Sequence, residues 1–236
     1  MRSTTLALLL SSLTAVTLQA AQLHVLAWNE AIADRKLAIA HGGGDKKSTP
    51  ILRMHPFARS APIKIPAAAE NLRILVSDRS SEDGKPLHLP LEIPSTIKRP
   101  LILLLPDNQS TVGIKPLVLD DSLTNFRWGS LRMINVTGKP LVFRYDQNNV
   151  AIPAGWKPVV VTPGGKKRNM AVSIFLRENL KLPPLYSSIW KHREDLRQLV
   201  FIVPSKNKER GYVDFKFITE NRAVVQAQRA EAAMKP

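Results

Sequence analysis

Short apolar runs separated by turn residues recur along the whole chain. They are rich in Val, Ile, Leu and aromatic residues, which is typical of β-strands. Eighteen prolines leave little room for long helices, and only Ala223–Met234 has a helical composition. The runs predict an all-β fold with a short C-terminal helical tail, with strands at residues 23–28, 36–40, 71–76, 100–105, 131–136, 140–145, 157–161, 171–176, 196–203 and 211–218.

Two of these runs indicate how their strands are covered. Leu101–Leu105 is apolar throughout, so we expect this strand to be buried on both faces. Residues 211–218 alternate instead, because Val213, Phe215 and Phe217 fall on one face of a strand and Tyr212, Asp214 and Lys216 on the other. This alternation predicts a half-buried antiparallel strand with one solvent-exposed face.

A faint internal repeat bears on the domain organisation. Residues 99–106 resemble residues 197–204 at a spacing of 98, and Ile65-Pro-Ala67 matches Ile152-Pro-Ala154 at a spacing of 87. Residues 48–53 also resemble residues 137–144. Both spacings are close to the ~100 residues of an immunoglobulin-like domain.

We therefore predict two immunoglobulin-like antiparallel β-sandwich domains, divided near residues 116–125. The first covers residues 21–120, the second covers residues 121–221, and residues 222–236 form the tail. One large sandwich built from both halves is the alternative.

The first twenty residues have the organisation of a secretory signal peptide. Arg2 precedes an apolar centre that begins at Leu6, and the segment ends on the small residue Ala20. The apolar part falls short of the roughly 20 residues that span a bilayer. We expect cleavage after Ala20 and an exported protein, periplasmic or extracellular, with a retained membrane anchor as the alternative.

The sequence lacks the residues that several kinds of chemistry require. The chain has no cysteine, which excludes disulfides, cysteine nucleophiles, zinc–thiolate sites and type 1 copper. No two of the five histidines have metal-ligand spacing, and no nucleophile elbow, P-loop or dinucleotide fingerprint occurs. The adjacent pairs Asp120-Asp121 and Glu194-Asp195 would point to opposite faces of a strand, so we interpret them as loop charges. We expect no cofactor, no metal and no catalytic residue, and hence no enzyme.

The positive charge is concentrated in the second half of the chain. Residues 21–120 carry 13 basic and 10 acidic side chains, whereas residues 121–236 carry 20 basic and 9 acidic ones. Such an excess suggests an anionic partner, although it is also found on ordinary solvated surfaces. Export makes nucleic acid an improbable partner.

Three basic segments are the candidate partner-binding site. They are the turn at residues 163–168, which carries three consecutive cations, the basic stretch at residues 191–193 after Trp190, and the hairpin loop at residues 206–210. If they gathered at one end of a sandwich, they would form a basic patch, and Trp156, Tyr186 and Trp190 could stack on sugars or bases. In the alternative, Trp156 and Trp190 are core residues and the lysines only keep the protein soluble. The candidate residues are Lys166, Lys167, Arg168, Trp190, Lys191, Arg193, Lys206, Lys208 and Arg210.

The second half resembles a group of uncharacterised exported bacterial β-sandwich proteins. The matching motifs are a G-x-x-R-x-x-N strand at Gly129–Asn135, a P-x-G turn at Pro153–Gly155 and an R-x-L-x-x-x-x-P strand at Arg197–Pro204. The resemblance covers about a hundred residues and implies a fold and an envelope location, but no activity. In length, charge and two-domain layout the chain is also similar to periplasmic pilus-assembly chaperones, whose sequence motifs it lacks.

These observations favour an exported, non-enzymatic protein that binds a protein or an anionic glycan or lipid in the cell envelope. The alternatives are a periplasmic chaperone-like assembly factor, an enzyme acting on envelope glycans and a structural subunit. The enzyme hypothesis predicts a deep cleft with at least two acidic side chains from separate strands.

Overall fold

A computed structural model describes residues 21–43, 47–66, 69–207 and 211–234 of the chain. The predicted signal peptide, residues 1–20, lies outside the described residues. The first half forms β1 (Ala21–Ala27), α1 (Glu30–Ala33), β2 (Leu37–Ala40), β3 (Ser48–Pro50), β4 (Ile63–Ile65), β5 (Arg73–Ser80), β6 (Pro86–Pro90), β7 (Pro100–Pro106) and β8 (Ile114–Asp120). The second half forms β9 (Leu131–Asn135), β10 (Leu141–Tyr145), β11 (Asn148–Ile152), β12 (Gly155–Val161), β13 (Arg168–Leu176), β14 (Tyr186–His192), β15 (Leu196–Pro204), β16 (Val213–Asn221) and α2 (Arg222–Met234).

Each half folds into a sandwich of two four-stranded sheets. In the first half the strand orders are β4-β1-β7-β8 and β3-β2-β5-β6, and in the second they are β12-β9-β15-β16 and β11-β10-β13-β14. The pairings are antiparallel except for β1 with β7 and β9 with β15. A continuous core of buried aliphatic and aromatic side chains fills each sandwich. The predicted fold class, all-β with two sandwiches and a short C-terminal helix, is confirmed.

The two sandwiches share one topology, because every strand of the first half corresponds to the strand numbered eight higher. At the late strands the repeat agrees in register to within one residue: Pro100 lies opposite Asp120, and Gln198 lies opposite Thr219, which are 98 and 99 residues further on. The similarity between residues 99–106 and 197–204 therefore reflects equivalent strands. The Ile-Pro-Ala match does not, since Ile65 ends β4 whereas Ile152 ends β11.

A third core joins the two sandwiches. The sheets that contain β1 and β9, here called the inner sheets, pack against each other through side chains of both halves. Leu101, Leu103 and Leu105 face this third core, whereas Ile102 and Leu104 face the core of the first sandwich. The prediction that residues 101–105 are covered on both faces is confirmed. The molecule is thus a stack of four sheets with the inner sheets in the middle and the outer sheets exposed.

The expectation of a solvent-exposed face on the last strand holds for Tyr212 and Asp214, which are exposed, but not further along the strand. The predicted alternation is present, since Val213, Phe215 and Phe217 face the core of the second sandwich. Beyond Asp214 the opposite face turns towards the first sandwich: Ile218 is fully buried in the third core, and Lys216 lies over Trp28 of the first half. The second half of the strand is therefore covered on both faces.

Candidate functional site

The three predicted basic segments lie at both ends of the second sandwich. Arg168 begins β13 and pairs in register with His192 at the end of β14, so the first two segments are neighbours. The third segment belongs to the hairpin that closes between Pro204 and Val213. Eight residues of β15 separate this hairpin from Leu196, which corresponds to about 26 Å. A single patch made of all three segments is therefore ruled out by the strand directions, and Lys208 and Arg210 lie outside the described residues.

Not every cation at the shared end of the first two segments is available to a partner. Arg168 forms a 2.8 Å ion pair with Asp146, and Arg193 forms a bidentate pair with Asp195. Lys166, Lys167 and Lys191 are exposed, and no ion pair within the described part of the chain involves them. These three lysines, here called the basic end, are what remains of the predicted patch. Lys206 is also exposed but lies at the other end of the sandwich.

The basic end is held in a defined conformation. Gly164 and Gly165 both have positive φ values, of 72° and 78°, which glycine adopts without the steric cost that other residues incur. The buried ring of His192 lies 3.3 Å, Nε2 to O, from the carbonyl of Gly165. This contact fixes the lysine turn against the end of β14.

The aromatic residues near the basic segments are packed into the protein. Trp190 contacts Phe143, Phe215 and Phe217 at ring-centroid distances of 5.1–5.6 Å, and its Nε1 donates a hydrogen bond to the Tyr186 hydroxyl. These contacts pack Trp190, which is half-buried, against the core of the second sandwich. Trp156 belongs to the junction between the sandwiches, where it meets Trp28 edge-on at 5.5 Å. The interpretation of both tryptophans as core residues is the one that the packing supports.

A buried ion-pair network lies where the two halves meet. Arg197 at the start of β15 is 0% exposed and Asp121 just after β8 is 1% exposed. Arg197 donates to both the carboxylate and the carbonyl of Asp121 and also pairs with Glu220 of β16. Arg59, from the loop between β3 and β4, binds the Asp121 carboxylate through two 2.9 Å hydrogen bonds. The network joins both sandwiches and corrects the interpretation of Asp121 as a loop charge.

The network brings together two carboxylates from separate strands, as the enzyme hypothesis requires. Burial would raise the pKa of Asp121, but the charges and hydrogen bonds of Arg59 and Arg197 outweigh it and hold the pKa below its ordinary value. A carboxyl group with a lowered pKa remains ionised and cannot act as a general acid near neutral pH. Both carboxylates are occupied by arginines, so the arrangement is structural.

Aromatic rings extend the network on both sides. The buried ring of Phe126 lies between the guanidinium groups of Arg132 and Arg197, whose carbons are 4.4 and 4.9 Å from the ring centroid. Arg132 also donates to the carbonyls of Asp120 and Asn125. These contacts fix the connection between β8 and β9, which links the halves.

Lys216 is a second unusual group at the junction. Its ammonium lies 5.0 Å from the Trp28 ring centroid and 5.1 Å from that of Phe57, and it donates to the Trp28 carbonyl. Burial lowers the pKa of Lys216 to about 8, although the nearby charge of Glu30 opposes the shift. The sequence pattern placed this lysine on a solvent-exposed face, so only the tertiary packing reveals it.

The residues that carry the sequence resemblance have structural roles. The side-chain nitrogen of buried Asn135 donates to the carbonyls of Lys139 and Ile152, which fixes the turn after β9. Gly155 has a φ of 108°, which only glycine adopts readily. Arg132 and Arg197 belong to the network described above. The motifs therefore describe how the second sandwich is built.

Comparison with known proteins gives no matching family model and no match among curated proteins. Among the described residues, no group of three or more His, Asp or Glu side chains is placed to hold a metal ion. Likewise, no helix within the described ranges is long and apolar enough to cross a membrane.

Proposed function

We propose that this chain is an exported, non-enzymatic binding protein of the cell envelope that holds an anionic partner at the basic end of its second sandwich. The observation that carries the proposal is the basic end itself, Lys166, Lys167 and Lys191. Lys166 and Lys167 lie on a turn that His192 fixes against β14, Lys191 lies at the end of β14, and none of the three ammonium groups has an acidic partner among the described residues. Fixed charges bind at a lower entropic cost than mobile ones.

The overall charge supports the same proposal. Residues 121–236 carry 20 basic and 9 acidic side chains, so the field around the second sandwich favours approach of an anion. The predicted signal peptide places the protein where its partners would be envelope proteins and anionic glycans or lipids. All these partners present carboxylates or phosphates, which ammonium groups bind.

An enzyme acting on envelope glycans receives less support. The two carboxylates that meet at the junction between the halves are Asp121 and Glu220, and arginines occupy both. A general acid in such an enzyme needs a raised pKa, whereas the pKa of Asp121 is lowered. The buried network thus stabilises the junction and offers no acid–base pair.

A retention experiment on immobilised poly-L-glutamate and polyphosphate tests the proposal. The protein from residue 21 onward is compared with the triple variant Lys166→Ala, Lys167→Ala, Lys191→Ala. We expect this variant to elute at lower salt and to show a flatter dependence of affinity on salt. The matched control is Lys139→Ala, Lys157→Ala, Lys206→Ala, which removes the same charge from exposed lysines at the opposite end.

The control separates a local site from net charge. Retention close to that of the unchanged protein is expected for the control triple. Equal losses in both triples would show that only the total charge matters, and unchanged retention in the first triple would remove the basic end from the binding site.

A further inference from the structure

Strand β14 is an edge strand of the outer sheet of the second sandwich. It pairs with β13 on one side only. Among the described residues, no backbone hydrogen bond outside that ladder involves residues 186–192. The backbone N–H and C=O groups that point away from β13 are therefore available to another strand.

Among the described residues, most other edge strands contain proline or are shorter than β14. The equivalent strand in the first half, β6, begins at Pro86 and ends at Pro90. Pro50, Pro116 and Pro158 lie in the edge strands β3, β8 and β12, and proline cannot donate to a neighbouring strand. The edge strands β4 and β11 have three and five residues, and the longer edge strand β16 is followed and contacted by α2. Strand β14 is seven residues long, contains no proline and is not followed by a helix.

The two faces of β14 differ in chemistry. On the inner face, the half-buried rings of Tyr186 and Trp190 form a strip with Phe215 and Phe217 along the open side of the sandwich. On the outer face lie Ser187, Lys191 and Ile189, which is 67% exposed. A strand added to this edge would place apolar side chains beside the aromatic strip and polar ones beside Lys191.

Positive charge lies at both ends of the edge. Lys191 and the neighbouring turn with Lys166 and Lys167 are at one end. At the other end, exposed Lys181 lies in the loop that leads into β14. Acidic side chains on the outer face of an added strand would meet these lysines, whereas basic ones would be repelled.

We propose that β14 is the docking edge for an extended acidic segment of a partner protein, which adds to the outer sheet as a further strand. Apolar residues of that segment cover the strip formed by Tyr186, Trp190, Phe215 and Phe217, and alternate acidic residues face the basic end. Main-chain hydrogen bonds give affinity, and the alternation gives specificity. This inference rests on the proposed function, because it specifies the anionic partner that the basic end binds.

The experiment uses a synthetic peptide, blocked at both ends, in which Glu and Val alternate over the length of β14. A peptide with Lys in place of Glu is the matched control. Binding is measured to the unchanged protein, to the basic-end triple variant and to the single variants Ser187→Pro and Ser188→Pro. Because consecutive N–H groups of a strand point in opposite directions, one of the two prolines removes a donor that faces β13 and the other removes a donor that faces outward.

Thermal unfolding identifies which proline is which. The variant that keeps the melting temperature of the unchanged protein has lost the outward donor, and we expect it to bind the Glu/Val peptide about tenfold more weakly. If both variants unfold early, amide hydrogen exchange of the unchanged protein replaces them. The outward N–H groups of residues 186–192 should then exchange more slowly with the peptide present, and unchanged exchange overturns the proposal.

The outcomes separate this inference from the proposed function. If the lysine triple variant binds the Glu/Val peptide more weakly and the outward proline variant does not, the anionic site is supported and β14 is not its docking edge. Weakening by the proline alone contradicts the role of the basic end. If the Lys/Val peptide binds as tightly as the Glu/Val peptide, the partner segment is not acidic and the proposal is overturned. The proposal is also overturned if the protein forms a concentration-dependent dimer that the outward proline abolishes, because the edge would then serve self-association.

Discussion

At the scale of single residues, Arg197 shows how the junction between the halves is held together. It is completely buried, binds Asp121 and Glu220, and packs against Phe126. A buried ion pair adds little stability compared with apolar packing, but its disruption leaves an uncompensated charge away from water. The network therefore makes the junction sensitive to the loss of any one member.

We expect Arg197→Ala to lower the free energy of unfolding by about 3–5 kcal/mol, because the buried Asp121 carboxylate and the partly buried Glu220 carboxylate lose a partner. Urea denaturation followed by tryptophan fluorescence measures the change. Arg193→Ala is the control, since Arg193 pairs with Asp195 at the exposed surface and should leave stability close to that of the unchanged protein. A small effect of Arg197→Ala, equal to that of the control, would contradict the buried network.

The lowered pKa of Lys216 predicts that the stability of the protein depends on pH. Its pKa is about 8 in the folded protein against an ordinary value of 10.5, so the unfolded chain binds the proton more tightly within that window. Stability should then rise as the pH increases from about 8 towards 10.5, because the cost of the charged, half-buried lysine is relieved.

Comparison with Lys216→Met isolates this contribution from other titrating groups. The difference in free energy of unfolding between the unchanged protein and Lys216→Met should shift in favour of the unchanged protein between pH 8 and pH 10. Lys139→Met, at an exposed lysine, should show no such shift. A difference that stays constant with pH would mean that the pKa of Lys216 is not lowered.

The sequence could not reveal these residues by local reasoning. The adjacent positions of Asp120 and Asp121 in the sequence say nothing about Arg59, which lies 62 positions away from Asp121. The similarity of residues 99–106 and 197–204 is the available signal, since Arg99 directly precedes β7 and Arg197 is the second residue of the equivalent strand β15. An arginine at the start of a largely apolar strand in both halves indicates a structural role.

At the scale of elements, the sequence predicted all the central strands of the sheets but only two of the edge strands, β12 and β16. All strands with two neighbours in their sheet were predicted, namely β1, β2, β5, β7, β9, β10, β13 and β15. The unpredicted strands are all edge strands: β3, β4, β6, β8, β11 and β14. Edge strands are less buried and tolerate proline and serine, so their sequences lack a continuous apolar signal.

The central strand β7 gives a test of the four-sheet stack. Leu103 faces the core between the sandwiches and Leu104 faces the core of the first sandwich. We expect Leu103→Ala and Leu104→Ala each to lower the free energy of unfolding by about 2–5 kcal/mol. If Leu103→Ala cost far less than Leu104→Ala in urea denaturation, the inner sheets would not pack as described.

At the scale of the whole molecule, the two sandwiches form one body. The third core contains Leu26, Leu103 and Phe126 of the first half and its connection, together with Ile134, Phe201 and Ile218 of the second half. The two-sandwich architecture followed from strand spacing and the internal repeat. The face-to-face packing of the two sandwiches could not be predicted, because the sequence of an apolar strand face does not indicate which surface covers it.

This packing predicts a single cooperative unfolding transition for the protein from residue 21 onward. Differential scanning calorimetry should give one peak with equal calorimetric and van't Hoff enthalpies. Two separated peaks would show that the sandwiches unfold independently, in contradiction to a shared core.

The most direct test of the account is capture of a partner from the envelope fraction of the protein's own cells at low salt, followed by salt-step elution and mass spectrometry. The unchanged protein should retain a defined envelope component that elutes at moderate salt. The triple variant Lys166→Ala, Lys167→Ala, Lys191→Ala should lose it, and the control triple Lys139→Ala, Lys157→Ala, Lys206→Ala should keep it. Capture of the same component by all three proteins, or of none by the unchanged protein, would contradict a binding function at the basic end.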